Sequence, residues 1–405
     1  MSLPMLADLE DAVTGRSRSY FADDIADHQR TLRTQVEGRN VLVVGGGGSI
    51  GSATTRAVLA LRPASIDIVD ISENYLAEQV REIRSCTADT RGIDLQAHVL
   101  DYGALAMRRL LAAGRRFDVV LNFAAVKHVR SERDVFSLLH MLDVNIVRQA
   151  RFKRWLAELG HHGRYFTVST DKAANPSSLM GASKRVMEDV AFDTAPGAFD
   201  AVTSARFANV AFSNGSLLQS FIMRLQKRQP LAVPVATRRY FISHAEAADV
   251  CLLAALAAPG GHVLVPTLRP EEHLLVLQDV VRRVLASCGY TPWFTDDEAA
   301  AKSAMKDAER RSHWPVLLTP LDTMGEKSYE EFVGDGECLV QVGFTALQGI
   351  AHRPGLAIEP LLAELSRYID DPSIAVDKER LSALLLTMVP TMRHVNTGRH
   401  LDARM

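Results

Sequence analysis

NVLVVGGGGSIG, residues 40–51, is a short β-branched run that ends in glycine and opens into a helical pattern from Ser49 to about Leu61. An apolar run without polar alternation reads as a parallel strand, because such strands are covered on both faces. The unit then repeats. SIDIVD (65–70) is a second strand ending in Asp70, and Glu73 to Ser85 is a helix. LQAHVLD (95–101) and, after another helix, FDVVLNFAA (117–125) are further strands. RYFTVST (164–170) and DAVTSARFANV (200–210) carry the strand signature again.

Strands alternating with helices predict an α/β fold, a Rossmann-like doubly wound parallel sheet. The chain has 405 residues, room for two or three domains at roughly 100–200 residues each. Residues 1–38 read as an N-terminal helical segment, with a helix over DDIADHQRTLRTQVEG. Residues 39–215 read as the nucleotide-binding domain, with returning elements at about 240–265. From 216 to 405 the rhythm changes, prolines punctuate shorter elements, and a smaller C-terminal α/β substrate-binding region with a helical extension is expected. DDEAAAKSAMKDAERR (296–311) reads as an exposed helix, and 357–390 as two amphipathic helices, either core or interface.

Lys plus Arg is 46 against 48 for Asp plus Glu, a formal net charge of −2. That balance argues against a nucleic-acid binder, which usually carries a basic excess. Cys86, Cys251, Cys288 and Cys338 are far apart with no CxxC pair, so no zinc ribbon or dithiol centre is expected. Scattered thiols suit a cytoplasmic protein. The longest apolar stretch, around Val250 to Ala258, falls far short of the ~20 residues of a membrane helix.

Read as GxxGxxG, the glycine anchors are Gly45, Gly48 and Gly51, with Ser49 and Ile50 between them. Glycines let the backbone turn sharply beside a pyrophosphate whose charge sits at a helix N-terminus. Asp70 ends the next strand, where an acid grips a ribose 2′-hydroxyl. Ile71 and Ser72 follow it, with no Arg or Lys to meet a 2′-phosphate. NAD is therefore expected over NADP. Asp101, beside Tyr102, ends the third strand and is placed for the adenine; Ala124 and Ala125 line the loop after the fourth.

The second constellation is Ser169-Thr170-Asp171-Lys172, then Asn175-Pro176, then Met180-Gly181-Ala182-Ser183-Lys184-Arg185. Met180 and Lys184 are one helical turn apart and share a face. A thioether cannot exchange protons, so another group must supply acid–base chemistry. Asp171 and Lys172 follow a strand's C-terminal end, where such a sheet has its ligand crevice. Lys172 would serve as a base if burial or nearby positive charge lowered its pKa.

At these residues the chain resembles the polysaccharide-biosynthesis (CapD-like) branch of the extended short-chain dehydrogenase/reductases, the nucleotide-sugar 4,6-dehydratases acting on UDP-N-acetylglucosamine. GGGGSIG (45–51), NFAAVKHV (122–129), VSTDKAANPSSLMGASKR (168–185), RFANVAFSNGS (206–216) and RRYFIS (238–243) carry the match. In this family Met often replaces the superfamily's tyrosine, and the chain resembles the family's soluble form. The resemblance implies a bound, recycled nicotinamide, oxidation at C4, loss of water across C5 and C6, and hydride return to C6. It implies Lys172 as base at C5, Asp171 as acid for the C6 hydroxyl, Thr170 on the C4 oxygen and Lys184 on the nicotinamide ribose. Lys127 and His128 would contact cofactor or sugar, and Asn145 would support the site. Arg206, Asn209, Ser213, Asn214, Arg239 and Tyr240 would hold the nucleotide diphosphate. It also implies a homo-oligomer.

The chain departs from the family with Asn214 in place of an arginine, with Phe207-Ala-Asn-Val for FGNV, and with IVRQ after Asn145. TPLDTMGEKSYEEF (319–332) resembles the family's tail. Packing of that tail onto the main domain is the expected role, ahead of a lid whose acids and Lys327 cover the sugar. A C4 epimerase or ketoreductase, and a non-catalytic NAD-binding regulator, remain alternatives.

Overall fold

The computed structural model describes residues 4–85, 90–308, 312–320, 327, 329–353 and 357–393. Cys86, most of the DTMGEK phrase (321–326), residues 309–311 of the expected charged helix and the tail beyond 393 lie outside the described residues.

The β-branched runs form strands where the alternation predicts them: β1 (Asn40–Val44), β2 (Ser65–Asp70), β3 (Asp94–Val99), β4 (Val119–Asn122), β5 (Arg164–Val168) and β6 (Ala201–Ala205). All pair in parallel, in the order β6-β5-β4-β1-β2-β3, and His262–Pro266 extends the parallel set beyond β6. Leu347–Ala351 and Leu339–Val340 then add antiparallel strands, nine in all among the described residues. An antiparallel edge on a parallel sheet is common in doubly wound folds. Two three-stranded sheets sit apart from it: Leu231–Pro234, Thr291–Thr295 and His313–Thr319, and Asn209–Val210, Arg238–Ile242 and Leu274–Val276.

From β1 the chain winds outward through β2 to β3, then crosses to β4 on β1's other side. The order reverses between β1 and β4, and the crevice at such a switch point is where these sheets bind ligands. The N-terminal segment holds two helices, α1 (Leu6–Thr14) and α2 (Ala22–Val36). Leu32 and Val36 of α2 join the cluster under β1 and β2, whereas Leu9 and Val13 of α1 pack with Phe221, Val281 and Trp314. The amphipathic helices Glu359–Asp370 and Lys378–Met388 bury Leu361, Leu365, Leu381 and Leu385 against Leu138, Met180 and Val186. Their apolar faces are core. No described helix is long and apolar enough to cross a membrane.

Candidate active site

The glycine loop leaves β1 and enters α3 (Ser49–Leu59). Gly45 has φ +72°, and a Cβ there would lie 2.7 Å from the Ala124 amide nitrogen in the loop after β4. A Cβ on Gly51 would lie 2.3 Å from the Gly45 carbonyl oxygen. Only glycine allows this closeness. Gly48, the N-cap, brings no side chain to the first-turn amides of α3, the situation in which an anion meets them. Asp70 sits at the loop's edge, its two carboxylate oxygens accepting from the Gly47 and Ser72 amides, each at 2.9 Å. Each oxygen retains a lone pair for a hydroxyl. Across the loop, Ser49 Oγ accepts from the Asn214 amide at 2.8 Å, and the His128 ring packs on Gly215. The segment at 213–215 thus bridges the loops after β1 and β4.

One strand over, β5 ends in the Thr170-Asp171-Lys172 turn. Thr170 Oγ1 donates to Asp171 Oδ1 at 2.8 Å, and Lys172 Nζ donates to the same oxygen at 3.1 Å. Asp171 is 3% exposed, and its Oδ2 is buried with no hydrogen-bond partner. Lys172 Nζ also lies 3.7 Å from Oε1 of Glu330, itself 4% exposed. Burial works against the lysine's charge, but the Asp171 and Glu330 carboxylates outweigh it and hold Lys172 above its ordinary pKa, with Arg239 opposing. The condition set for a neutral lysine base is therefore reversed: Lys172 rests as an ammonium.

Glu330 arrives on the 327–337 segment, which is fastened to the turn. Lys327 Nζ donates to the Asn175 carbonyl. Asn175 Nδ2 donates to Glu331 at 3.0 Å, and Asn175 Oδ1 accepts from the Asp335 amide at 2.9 Å. Arg239 donates to the Lys327 carbonyl at 3.1 Å, and Tyr240 packs on Phe332 with ring centroids 5.2 Å apart. Asn209 Nδ2 donates to the Tyr240 carbonyl at 3.2 Å. The described part of the GEKSYEEF phrase thus reaches the site, a placement the preferred reading of a merely packed tail did not anticipate.

Beneath the turn runs the helix Leu179–Phe192, capped by Ser178, whose Oγ accepts from the Gly181 amide at 3.1 Å. Lys184 lies on it, 3% exposed, and donates to the Val168 carbonyl at 2.7 Å. Burial lowers its pKa to about 7, with Glu188 opposing. Ser169 Oγ donates to Glu188 at 2.5 Å, and Glu188 in turn receives Arg206 through Nε at 2.8 Å and Nη2 at 2.7 Å. Arg206 also meets Glu337 and the Phe332 carbonyl. This network joins β5, β6, the helix and the 327–337 segment.

Three expectations, at Arg206, Tyr102 and Met180, need correction. Arg206 is 0% exposed and its donors are taken by Glu188, Glu337 and Phe332, so it braces the fold and does not hold a diphosphate. Tyr102 is buried, its hydroxyl donating to the Val144 carbonyl. Asn145 is buried and clamps the loop after β4, accepting from the Val126 amide at 2.8 Å and donating to the Val126 carbonyl and to Ser183 Oγ, each at 3.0 Å. It positions that loop from behind, the supporting role the resemblance implies. Met180 is core, packed with Leu138, Met141 and Leu142, not a catalytic group. Asp101 is paired with Arg148 and its side chain stays 33% exposed, so it is kept as the candidate for the adenine. Sequence reasoning named none of Glu188, Glu330 and Glu337; the EEF phrase was the one signal for Glu330. Among the described residues no group of three His, Cys, Asp or Glu could hold a metal ion.

A family model described as "Polysaccharide biosynthesis protein" matches residues 41–348. The chain is 25% identical over 371 residues to the probable polysaccharide biosynthesis protein EpsC of Bacillus subtilis, covering 88% of this chain but only 55% of that protein. It is 26% identical over 244 residues to the UDP-N-acetylglucosamine 4,6-dehydratase (inverting) of Campylobacter jejuni strain 81-176, covering 56% of this chain and 67% of the other. Among solved structures it resembles Pen from Bacillus thuringiensis, with TM-score 0.61 and 19% identity over 87% of this chain and 98% of the other. That likeness is one of fold.

Proposed function

The chain belongs to the polysaccharide biosynthesis protein family, a branch of the extended short-chain dehydrogenase/reductases, and from that premise we propose that it is an NAD-dependent nucleotide-sugar 4,6-dehydratase acting on UDP-N-acetylglucosamine. The observation that carries the reading is the pair of buried Asp171 and half-buried Lys172 at the end of β5, beside the switch-point crevice. Elimination of water needs an acid and a base within reach of adjacent carbons, and a reductase or epimerase needs no such pair at C5 and C6.

The glycine loop, the first turn of α3 and Asp70 fit a dinucleotide, since Gly45 and Gly51 leave a cradle that any side chain would fill. Bound there, a nicotinamide supplies a reversible hydride acceptor. Lys172 is the group for the C5 proton. Its resting proton must first leave, and Asp171 Oδ1, 3.1 Å away, accepts from it. Asp171 then carries a proton, with Oδ2 unengaged, for the departing C6 hydroxyl. Thr170 orients Asp171 and is the residue assigned to the C4 oxygen. Lys184 supports the turn from below through Val168. Lys127, His128, Asn209, Ser213, Asn214, Arg239 and Tyr240 remain candidates for the nucleotide side.

Incubation with UDP-N-acetylglucosamine is expected to give a product lighter by one water, read by mass spectrometry. Retained mass with inverted C4 would favour the epimerase alternative. Gly51→Ala is expected to weaken NAD binding about 5- to 150-fold by calorimetry, because its Cβ would displace the Gly45 carbonyl and overpacking of this kind costs about 1–3 kcal/mol. Unchanged affinity would remove the loop from the dinucleotide site.

A further inference from the structure

We propose that Glu330 is a positioning residue of the acid–base site: as the second anionic partner of Lys172, it fixes where Nζ sits and the pH at which that nitrogen yields its proton. The inference rests on the proposed dehydratase chemistry only for its consequence in turnover; the pairing itself stands on geometry.

Three observations support it. Glu330 is buried, yet no apolar role suits a carboxylate, and burying a charge is costly unless it is paired. Its Oε1 lies 3.7 Å from Lys172 Nζ, while its Oε2 is buried with no hydrogen-bond partner and meets Lys327 Nζ only at 3.8 Å. Asp171 on the other side also has one oxygen on Lys172, hydrogen-bonded where Glu330 makes a longer ion pair, and one left over. Two half-satisfied buried carboxyls sharing one ammonium form a site poised to exchange protons. A structural ion pair would be saturated, as Arg206 and Glu188 are.

The charged groups facing the pair come from separate parts of the chain. Asp171 precedes Lys172 in the turn, Arg239 comes from the strand Arg238–Ile242, and Lys327 comes from Glu330's own segment. Burial raises the Glu330 carboxyl and Asp171 adds to that, while Lys172, Arg239 and Lys327 oppose it. For Lys172, Glu330 is one of the two carboxylates that favour the ammonium. The segment's fastening to Asn175 explains how an acid so distant in sequence is held against the turn. The acid–base site is complete only with this segment docked.

The test compares the wild-type full chain with Glu330→Gln and Glu330→Asp, using 15N NMR of lysine Nζ with Lys172 assigned through Lys172→Arg. Loss of a carboxylate removes stabilisation of the ammonium, so the Lys172 pKa is expected to fall by about 1 unit or more in Glu330→Gln. Glu330→Asp is expected to recover part of the shift. In turnover, Glu330→Gln is expected to lower kcat about tenfold with KM little changed, as Nζ loses its second carboxylate partner, and Glu330→Asp is expected to recover part of the loss. Near-equal melting temperatures establish that the variants are folded. A Lys172 pKa unchanged in both variants overturns the proposal, as does a loss carried by KM with kcat unchanged. A pKa that falls while even the wild type turns over no nucleotide sugar upholds the pairing and overturns the dehydratase reading instead.

Discussion

Lys172→Ala is expected to lower turnover by about a hundred- to ten-thousand-fold, the range for loss of a positioned acid–base group. Nζ is the one basic atom the structure sets between Asp171 and Glu330, at 3.1 and 3.7 Å. Truncation also removes the cation between those two buried carboxyls, leaving only Lys327 and Arg239 at the Glu330 side, and one carboxyl is then expected to take up a proton. Lys172→Arg separates the two effects. Arginine keeps the charge and the ion pairs but does not deprotonate. It is expected to match the alanine variant in lost turnover while holding the melting temperature of the wild type. Both are measured by steady-state kinetics and thermal unfolding. Turnover retained in Lys172→Arg would remove the lysine from the proton-transfer step.

The second large effect is on stability. Arg206→Met is expected to destabilise the fold by about 3–5 kcal/mol, because breaking a buried ion pair by removing one partner strands the other charges. Here Glu188, with a side chain 1% exposed, loses a two-pronged partner, and Glu337 loses another. Adding Glu188→Leu to Arg206→Met should recover part of the loss, since groups in one network are not additive. The network also sets a pH window. Burial pushes Glu337 up, but Arg206 and Arg185 outweigh it and bring its pKa to about 2, below the ordinary 4.5. A carboxyl depressed on folding stabilises the native state above its unfolded pKa, and the contribution is lost as pH falls through the folded value. Wild-type stability from Glu337 is therefore complete above about pH 4.5 and fades toward pH 2. Arg206→Met should flatten that part of the urea-unfolding profile. A stability within 1 kcal/mol of wild type, ~10% of a typical total, would contradict the bracing role.

The fold was legible because its signals are local. SIDIVD and the helix from Glu73 to Ser85 fall at the residues expected. The four-residue step from Met180 to Lys184 lies on the helix Leu179–Phe192. The Asp171–Lys172 pair was legible for the same reason, as adjacent residues following a strand. What escaped is long-range. A bracing arginine and a phosphate-binding one look alike in sequence; Arg206 is told apart by Glu188 and Glu337, which lie 18 and 131 residues away. Tyr102 follows β3 and Asn145 lies within a helical stretch, but their side chains turn inward to carbonyls and amides that only the packed loops bring near. Glu330 reaches Lys172 through Asn175 and Arg239, contacts that no periodicity encodes.

The central claim is that Lys172 exchanges the proton at C5. The most direct measurement is the reaction of UDP-N-acetylglucosamine in deuterium oxide, with the product examined by NMR and mass spectrometry. The account predicts a 4-keto-6-deoxy product that has lost one water and carries solvent deuterium at C5, with none incorporated by Lys172→Arg. A product of unchanged mass with protium at C5 would contradict it.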